Sequence, residues 1–463
     1  MDKQLQDRIR SWIEAHKQEM IADLASLVKI KSVSQPGQGG YAMGEGCARC
    51  AEAVMELGKK WDFIPQNHDY YCVSLTMKGT TDREIGILGH MDVVPEGEGW
   101  SFPPYGTTLV DDYMIGRGAG DNKGACVMSL YAMRCIRELG IPMDSNIRLI
   151  MGFNEEAGML DVEHYVKTMP LPRFTIVCDG AWPMITGEKG ILTANLRSRI
   201  TSGNLAEFQG GISSNSVPSQ AFARVITNKK AADFPPAEGI QAENTADGII
   251  VHASGKACHA MAPEGGVNAI HRLCCWLLDS GLLTGDCVRG VSFIRRVTSD
   301  YYGGGLGIAF EDGISGKTTC IGGMASLADS TITLNINVRY AIEADRELQK
   351  ANLLAVCASS GFTVEDFADS APRYMSAEEE PTASLLELYR QMTGDMSQPI
   401  IMGGGTHARK FPRALPYGPG HWGGGGRFGG AHSVDEAVYL PHLTGALPIY
   451  VEALLLLDRH FGG

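Results

Sequence analysis

The sequence has no run of about 18 apolar residues free of charge, the length a helix needs to cross a bilayer. From Met1 to Lys17 charged residues recur every few positions, where a secretion signal would place an apolar core. Both absences predict a cytoplasmic protein with no membrane partner. Basic residues are also short: Lys+Arg number 40 against 53 Asp+Glu, a net charge of −13. Nucleic acid is therefore not expected as a partner, because phosphate binding needs clustered Lys and Arg. A Gly-x-Ser-x-Gly context is missing, so nothing supports a serine nucleophile. The 12 cysteines are scattered and follow no secretion signal, which predicts free thiols. Cys47 and Cys50 form a lone CxxC within a helical stretch, with no second pair to complete a zinc site.

What the chain does have is length and apolar content. Its 463 residues, 44% hydrophobic and 20% charged, can bury a large core and predict two or three domains. Leu5, Ile9, Trp12, Ile13, Ile21, Leu24, Leu27 and Val28 recur at helical spacing, predicting an amphipathic helix from Leu5 to Ile30. Three β-type runs follow, each closing on polar residues. Glu84 to Leu88 runs into His90 and Asp92, Ile147 to Phe153 into Glu155 and Glu156, and Phe174 to Val177 into Asp179. Between the first two, Asp121 precedes a helical stretch carrying Val127, Leu130, Met133, Ile136 and Leu139. Strand, helix and strand in alternation predict an α/β domain whose ligands bind at the carboxyl ends of the strands.

From about Gly190 to Arg373 the pattern changes to β-type runs (Gly248 to Val251, Thr331 to Val338) and a helix expected over Asn268 to Leu283. This reads as an inserted α+β domain over 190–375. Segments 1–189 and 376–463, the latter with helices from Ser384 to Met392 and Leu440 to Phe461, form the domain around it.

His90, Asp92, Asp121, Glu155, Glu156 and Asp179 then fall on one rim. Five carboxylates converging there repel one another strongly at a low effective dielectric, so cations must accompany them. A His with Asp and Glu donors suits zinc, or manganese and cobalt where carboxylates dominate, and a two-metal site needs a bridging carboxylate. Hydrolysis also requires a carboxylate that is not a ligand, to move the proton. Adjacent Glu155 and Glu156 can divide these duties.

The run Gly89-His90-Met91-Asp92-Val93-Val94-Pro95, with Gly99-Trp100-Ser101-Phe102-Pro103-Pro104, then Gly116-Arg117-Gly118-Ala119-Gly120-Asp121-Asn122-Lys123-Gly124 and Asn154-Glu155-Glu156, resembles the M20 metallopeptidases in order and spacing. The likeness runs over most of the chain and is nearest the dipeptidase V branch. It implies a zinc-peptidase-like catalytic domain with a mixed sheet and flanking helices, plus an inserted lid, and a two-metal hydrolase that cleaves dipeptides with metal-activated water. It makes Asp121 the bridging ligand, places His90 and Asp179 on one metal and Glu156 on the other, and gives Asp92 the task of orienting His90. Glu155 becomes the general base. The last ligand is His432, in Ala431-His432-Ser433-Val434-Asp435-Glu436, favoured over His421.

In the inserted domain, Gly255-Lys256-Ala257-Cys258-His259-Ala260 resembles the family segment whose His stabilises the oxyanion when the lid closes. Arg339 resembles the residue that grips the substrate's terminal carboxylate, with Asn215 as a second candidate. Gly404, Gly405 and Thr406, in Gly403-Gly404-Gly405-Thr406-His407, resemble a substrate-binding loop; no Gly-Lys-Ser/Thr ending follows, against a phosphate loop. The long lid implies a monomer. The same core also serves N-acyl amino acid deacylases and carboxypeptidases, and a noncatalytic binding protein is the reading from another class.

Overall fold

The computed structural model describes residues 3–420 and 426–462, so His421 and Trp422 lie outside the described residues. Two compact units divide the chain. The first comprises Met1–Thr186, Met375–Ile400 and Gly405–Gly463, and the second Gly187–Tyr374 and Ile401–Gly404.

The first unit is built on a six-stranded mixed sheet, in the order Ile64–His68, Cys72–Met77, Asn146–Gly152, Glu84–His90, Phe174–Val177 and Ala414–Pro416. The last four run parallel and the first two antiparallel. Side chains alternate between two apolar layers: Ile85, Ile87, Ile147, Leu149 and Ile176 join the larger core, while Leu88, Ile150 and Val177 join the smaller one opposite. Burial on both faces explains why these strands read as continuous apolar runs. Helices Lys3–Val28, Lys123–Glu138 and Leu440–Gly462 pack into the larger core, and Leu160–Thr168 covers the other face. The N-terminal helix stops where Nζ of the buried Lys123 takes the carbonyls of Leu27 (3.0 Å) and Ile30 (2.8 Å), a cation on its carbonyl end. Among the described residues one helix, Leu440–Gly462, is long and apolar enough to cross a membrane by composition, but 67% of that window is buried in the protein.

The second unit is an eight-stranded antiparallel sheet in the order Ile240–Asn244, Gly248–Ser254, Gln220–Ile226, Leu205–Gly210, Thr319–Ala328, Thr331–Tyr340, Gly190–Arg199 and Thr363–Ser370. Alternate residues of Gly190–Arg199 are buried, as period-two patterning requires of a sheet covered on one face. Helices Ala269–Asp279, Asp286–Val297 and Arg346–Ser359 contribute to its core. The helix expected to run to Leu283 ends at Asp279. Asn268 caps its start by accepting the His271 N–H (3.1 Å), and Gly281, at φ +60°, takes the left-handed conformation that ends a helix. A second helix, absent from the sequence reading, then begins at Asp286.

Candidate metal centre

Three parallel strands deliver their carboxyl ends to one edge of the sheet. His90 closes the strand Glu84–His90, Glu155 and Glu156 follow the end of Asn146–Gly152, and Asp179 follows Phe174–Val177. Asp121 arrives from the glycine-rich loop before the helix at Lys123, and the Asp121–Asn122 peptide is cis. Asp121 lies between two imidazoles: Oδ1 is 3.1 Å from His90 Nε2, and Oδ2 is 3.3 Å from His432 Nε2. Asp179 Oδ2 lies 3.6 Å from His90 Nε2, and its Oδ1 accepts the Asn122 amide (3.2 Å). Glu156 sits on the other side, with its carboxylate oxygens 2.9 and 3.0 Å from His432 Nε2. His90, Asp121 and Glu156 form one group whose donor atoms all lie within 4.8 Å, and His90, Glu155 and Asp179 form a second.

Crowded carboxylates set the electrostatics. Burial alone would lower the His90 pKa, but hydrogen bonds to Asp121 and Asp92 and the charge of Asp179 lift it well above the usual histidine range. The hydrogen bonds of His432 to Asp121 and Glu156 push it up to about 10. Burial, reinforced by the charges of Asp179, Glu156 and Asp121, raises the Glu155 carboxyl well above its ordinary value against the opposing pull of His90. Glu156 is raised by burial too, with His432 opposing. A divalent cation meets the same excess of negative charge while leaving both imidazoles neutral, and His nitrogen with carboxylate oxygen is the donor set of zinc, manganese and cobalt. The residues therefore fit a metal.

Support for these side chains comes from residues the motifs only partly indicate. The backbone oxygen of Asp92 lies 3.0 Å from His90 Nδ1, and its carboxylate 3.5 Å away. That carboxylate instead accepts the N–H groups of Glu155 and Glu156, each at 3.1 Å. Glu436, four residues after His432, supports the loop before Asp121: its Oε1 accepts from Gly118, Gly120 and Asp121 (3.0, 3.1 and 3.1 Å) and its Oε2 binds the buried Arg117 at 2.6 Å. The turn before Glu155 depends on Asp161, whose Oδ2 accepts the Asn154 N–H (2.8 Å) and pairs with His407 Nε2 (3.1 Å). Polar partners hundreds of residues apart leave no local signal. Cys47 and Cys50 are buried in the helix Glu45–Lys60, where Cys47 donates to the Ser32 carbonyl (3.4 Å), and all 12 cysteines are free.

Asn215, His259, Arg339 and Gly404 belong to the second unit, while Gly405 and Thr406 belong to the first. The Ala260 N–H donates to the Asn215 carbonyl (2.9 Å), which sets Asn215 beside the His259 segment. His259 Nδ1 accepts the Met261 N–H (3.2 Å), so a neutral ring carries its proton on Nε2. Partial desolvation and then the Arg339 charge lower its pKa, which favours that neutral form. Arg339 is itself held by Asn337 Oδ1 (2.9 Å, from Nε) and the Gly403 carbonyl (3.0 Å, from Nη1). Thr406 Oγ1 accepts the Ala408 N–H (3.2 Å) and caps a short turn.

A mixed α/β sheet with a buried His and carboxylate cluster at the carboxyl ends of its parallel strands defines a metal-dependent hydrolase. The pattern of Peptidase family M20/M25/M40 matches residues 86–456, and the chain belongs to that family of metal-dependent peptidases. It is 29% identical over 464 residues to YtjP of Bacillus subtilis (strain 168), provisionally named a dipeptidase, covering 96% of this chain and 98% of that one. Among solved structures, the M20 family metallo-carboxypeptidase Sso-CP2 from Sulfolobus solfataricus aligns with a TM-score of 0.59 at 17% identity, over 95% of this chain and 99% of its own. Human carnosine dipeptidase 1 aligns at 0.57 and 13%, over 98% and 99%. At such identities the likeness concerns the fold.

Proposed function

We propose that this chain hydrolyses the peptide bond of dipeptides at a two-metal centre, zinc being the metal the donors suit best, with manganese and cobalt as the alternatives. The observation that carries it is the placement of Asp121, one oxygen toward His90 and the other toward His432, as a bridging carboxylate requires. In this reading His90 and Asp179 serve one ion, Glu156 and His432 the other, and Asp121 both. Ions held by these residues would supply Lewis acidity toward the peptide carbonyl and toward water.

The remaining steps belong to the chain's own groups. Glu155, whose carboxylate makes no hydrogen bond among the described residues, takes the proton from the attacking water and returns it to the leaving amine. Its raised pKa suits a group that must both accept and release a proton. His259, with Nε2–H as donor, stabilises the oxyanion. Arg339 grips the terminal carboxylate with Asn215, and Gly404, Gly405 and Thr406 position the substrate backbone. We assign 1–189 and 376–463 as the catalytic domain and 190–375 as the lid, in a monomer. The twelve free thiols, ten of them buried, support a reducing compartment such as the cytoplasm.

The dipeptidase names of the B. subtilis relative and of the human structure support dipeptides as substrate. The test compares unblocked dipeptides with their N-acetylated forms, before and after chelation, with metal content measured alongside. Chelator-sensitive cleavage of the unblocked forms alone is expected. Preference for the acetylated forms would make the protein a deacylase, release of single residues from the carboxyl end of longer peptides a carboxypeptidase, and no turnover with metal bound a binding protein.

A further inference from the structure

We propose that Asp161 and His407 form a positioning pair that holds the Glu155–Glu156 turn and the His90 ring in place. The inference rests on the metal-centre roles given above to His90 and the two glutamates. Both members are fully buried, and His407 Nε2 lies 3.1 Å from Asp161 Oδ2 across 246 residues of sequence. A polar pair buried this deeply costs desolvation that apolar side chains would not incur, so a function beyond cohesion is sought for it.

Two contacts supply that function. Asp161 Oδ2 also accepts the Asn154 N–H (2.8 Å), immediately before Glu155, while Oδ1 accepts Val162 N–H (2.8 Å). One carboxylate thus anchors both the start of the glutamate turn and the start of the helix behind it. His407 meets His90 edge to face, their ring centroids 6.1 Å apart at 87°. The pair therefore reaches His90 from one side and Glu155 and Glu156 from the other, touching the reacting atoms through neither. Gly152 completes the arrangement: a Cβ there would stand 2.1 Å from Asp161 Oδ2 and 2.8 Å from His407 Cε1, so the strand can pass the pair only without a side chain. Because His407 follows Thr406, the same bond also fixes the backbone at Thr406 relative to the glutamate turn.

The experiment uses the full chain with Asp161→Asn, His407→Leu and His407→Gln. It measures zinc affinity by competition with a chromophoric chelator, kcat and KM on an unblocked dipeptide, and the melting temperature. Asp161→Asn and His407→Leu should weaken zinc binding and lower kcat by about 10- to 100-fold with KM nearly unchanged, the scale seen when partners of metal ligands are removed. His407→Gln, whose amide N–H can still reach Asp161, should recover most of both. Wild-type zinc affinity and kcat in folded His407→Leu would overturn the pair's role, as would a loss in His407→Gln equal to that in His407→Leu. If His407→Leu fails to fold, the near-isosteric Asp161→Asn decides by the same measurements. A wild-type protein that binds zinc yet cleaves no dipeptide would refute the substrate reading alone, and zinc affinity would still decide the pair.

Discussion

The carboxylate of Asp92 is shared between two consecutive residues, Oδ1 accepting the N–H of Glu155 and Oδ2 that of Glu156, each at 3.1 Å. The two glutamate side chains thus leave the backbone from a turn whose two N–H groups are both held by one buried acid. Replacing Asp92 with Ala strips both N–H groups of their acceptor, and hydrolysis should fall about 10- to 100-fold. Asp92→Asn, keeping one acceptor oxygen, should fall less. Steady-state kinetics on the two variants checks the order; equal losses would show that the shared acceptance does not matter.

Glu155→Gln preserves the size of the side chain and removes its capacity to take a proton. Turnover should drop by about 100-fold or more, the contribution of a positioned acid-base group, while zinc affinity stays within a few-fold of wild type. The group formed by His90, Glu155 and Asp179 makes the second measurement informative. A large loss of zinc would mean that Glu155 is a ligand and that the base lies elsewhere.

Glu436 and Arg117 are 1% and 2% exposed, and they are joined at 2.6 Å. Glu436→Gln leaves a buried guanidinium without its counter-charge, which should cost about 3–5 kcal/mol of stability. Urea denaturation with metal bound measures it. A loss below about 1 kcal/mol would mean that water enters to solvate Arg117.

His68 gives the pH dependence. Burial, aided by the charge of Arg148, lowers its pKa from 6.5 to about 4, and Nε2 lies 2.9 Å from Ser74 Oγ. Below pH 6.5 the unfolded chain takes up a proton that the folded one refuses until about pH 4, so stability is intact above that window and falls as pH drops through it. Between pH 7 and pH 5 wild type should lose about 2 kcal/mol more than His68→Gln, at 1.36 kcal/mol per pH unit. Denaturation midpoints at the two pH values supply the comparison, and parallel losses would refute it.

The parallel strands were legible because burial on both faces makes them unbroken apolar runs, so that His90, Glu155 and Asp179 stand out as polar residues at their ends. The antiparallel sheet was legible through alternation, as in Gly190–Arg199. What stayed hidden has no local spelling. Leu282 and Leu283 continue the apolar spacing beyond Asp279, and only the φ of Gly281 shows that the helix has stopped. Glu436 reads as one more acid near a histidine until its three backbone partners, more than 300 residues earlier, are seen. Asp161 looks like a helix-start acid, although its second partner is His407.

The bond from Asp121 N–H to Glu436 spans 315 residues. During synthesis the glycine-rich loop emerges early and waits, through the making of the whole second unit, for the carboxylate that holds it. Since chains emerge at roughly 5–20 residues per second, that interval lasts from about 15 s to a minute. The nascent chain passes it without the carboxylate that holds this loop, so hydrolytic capacity can follow only once the whole second unit has been made.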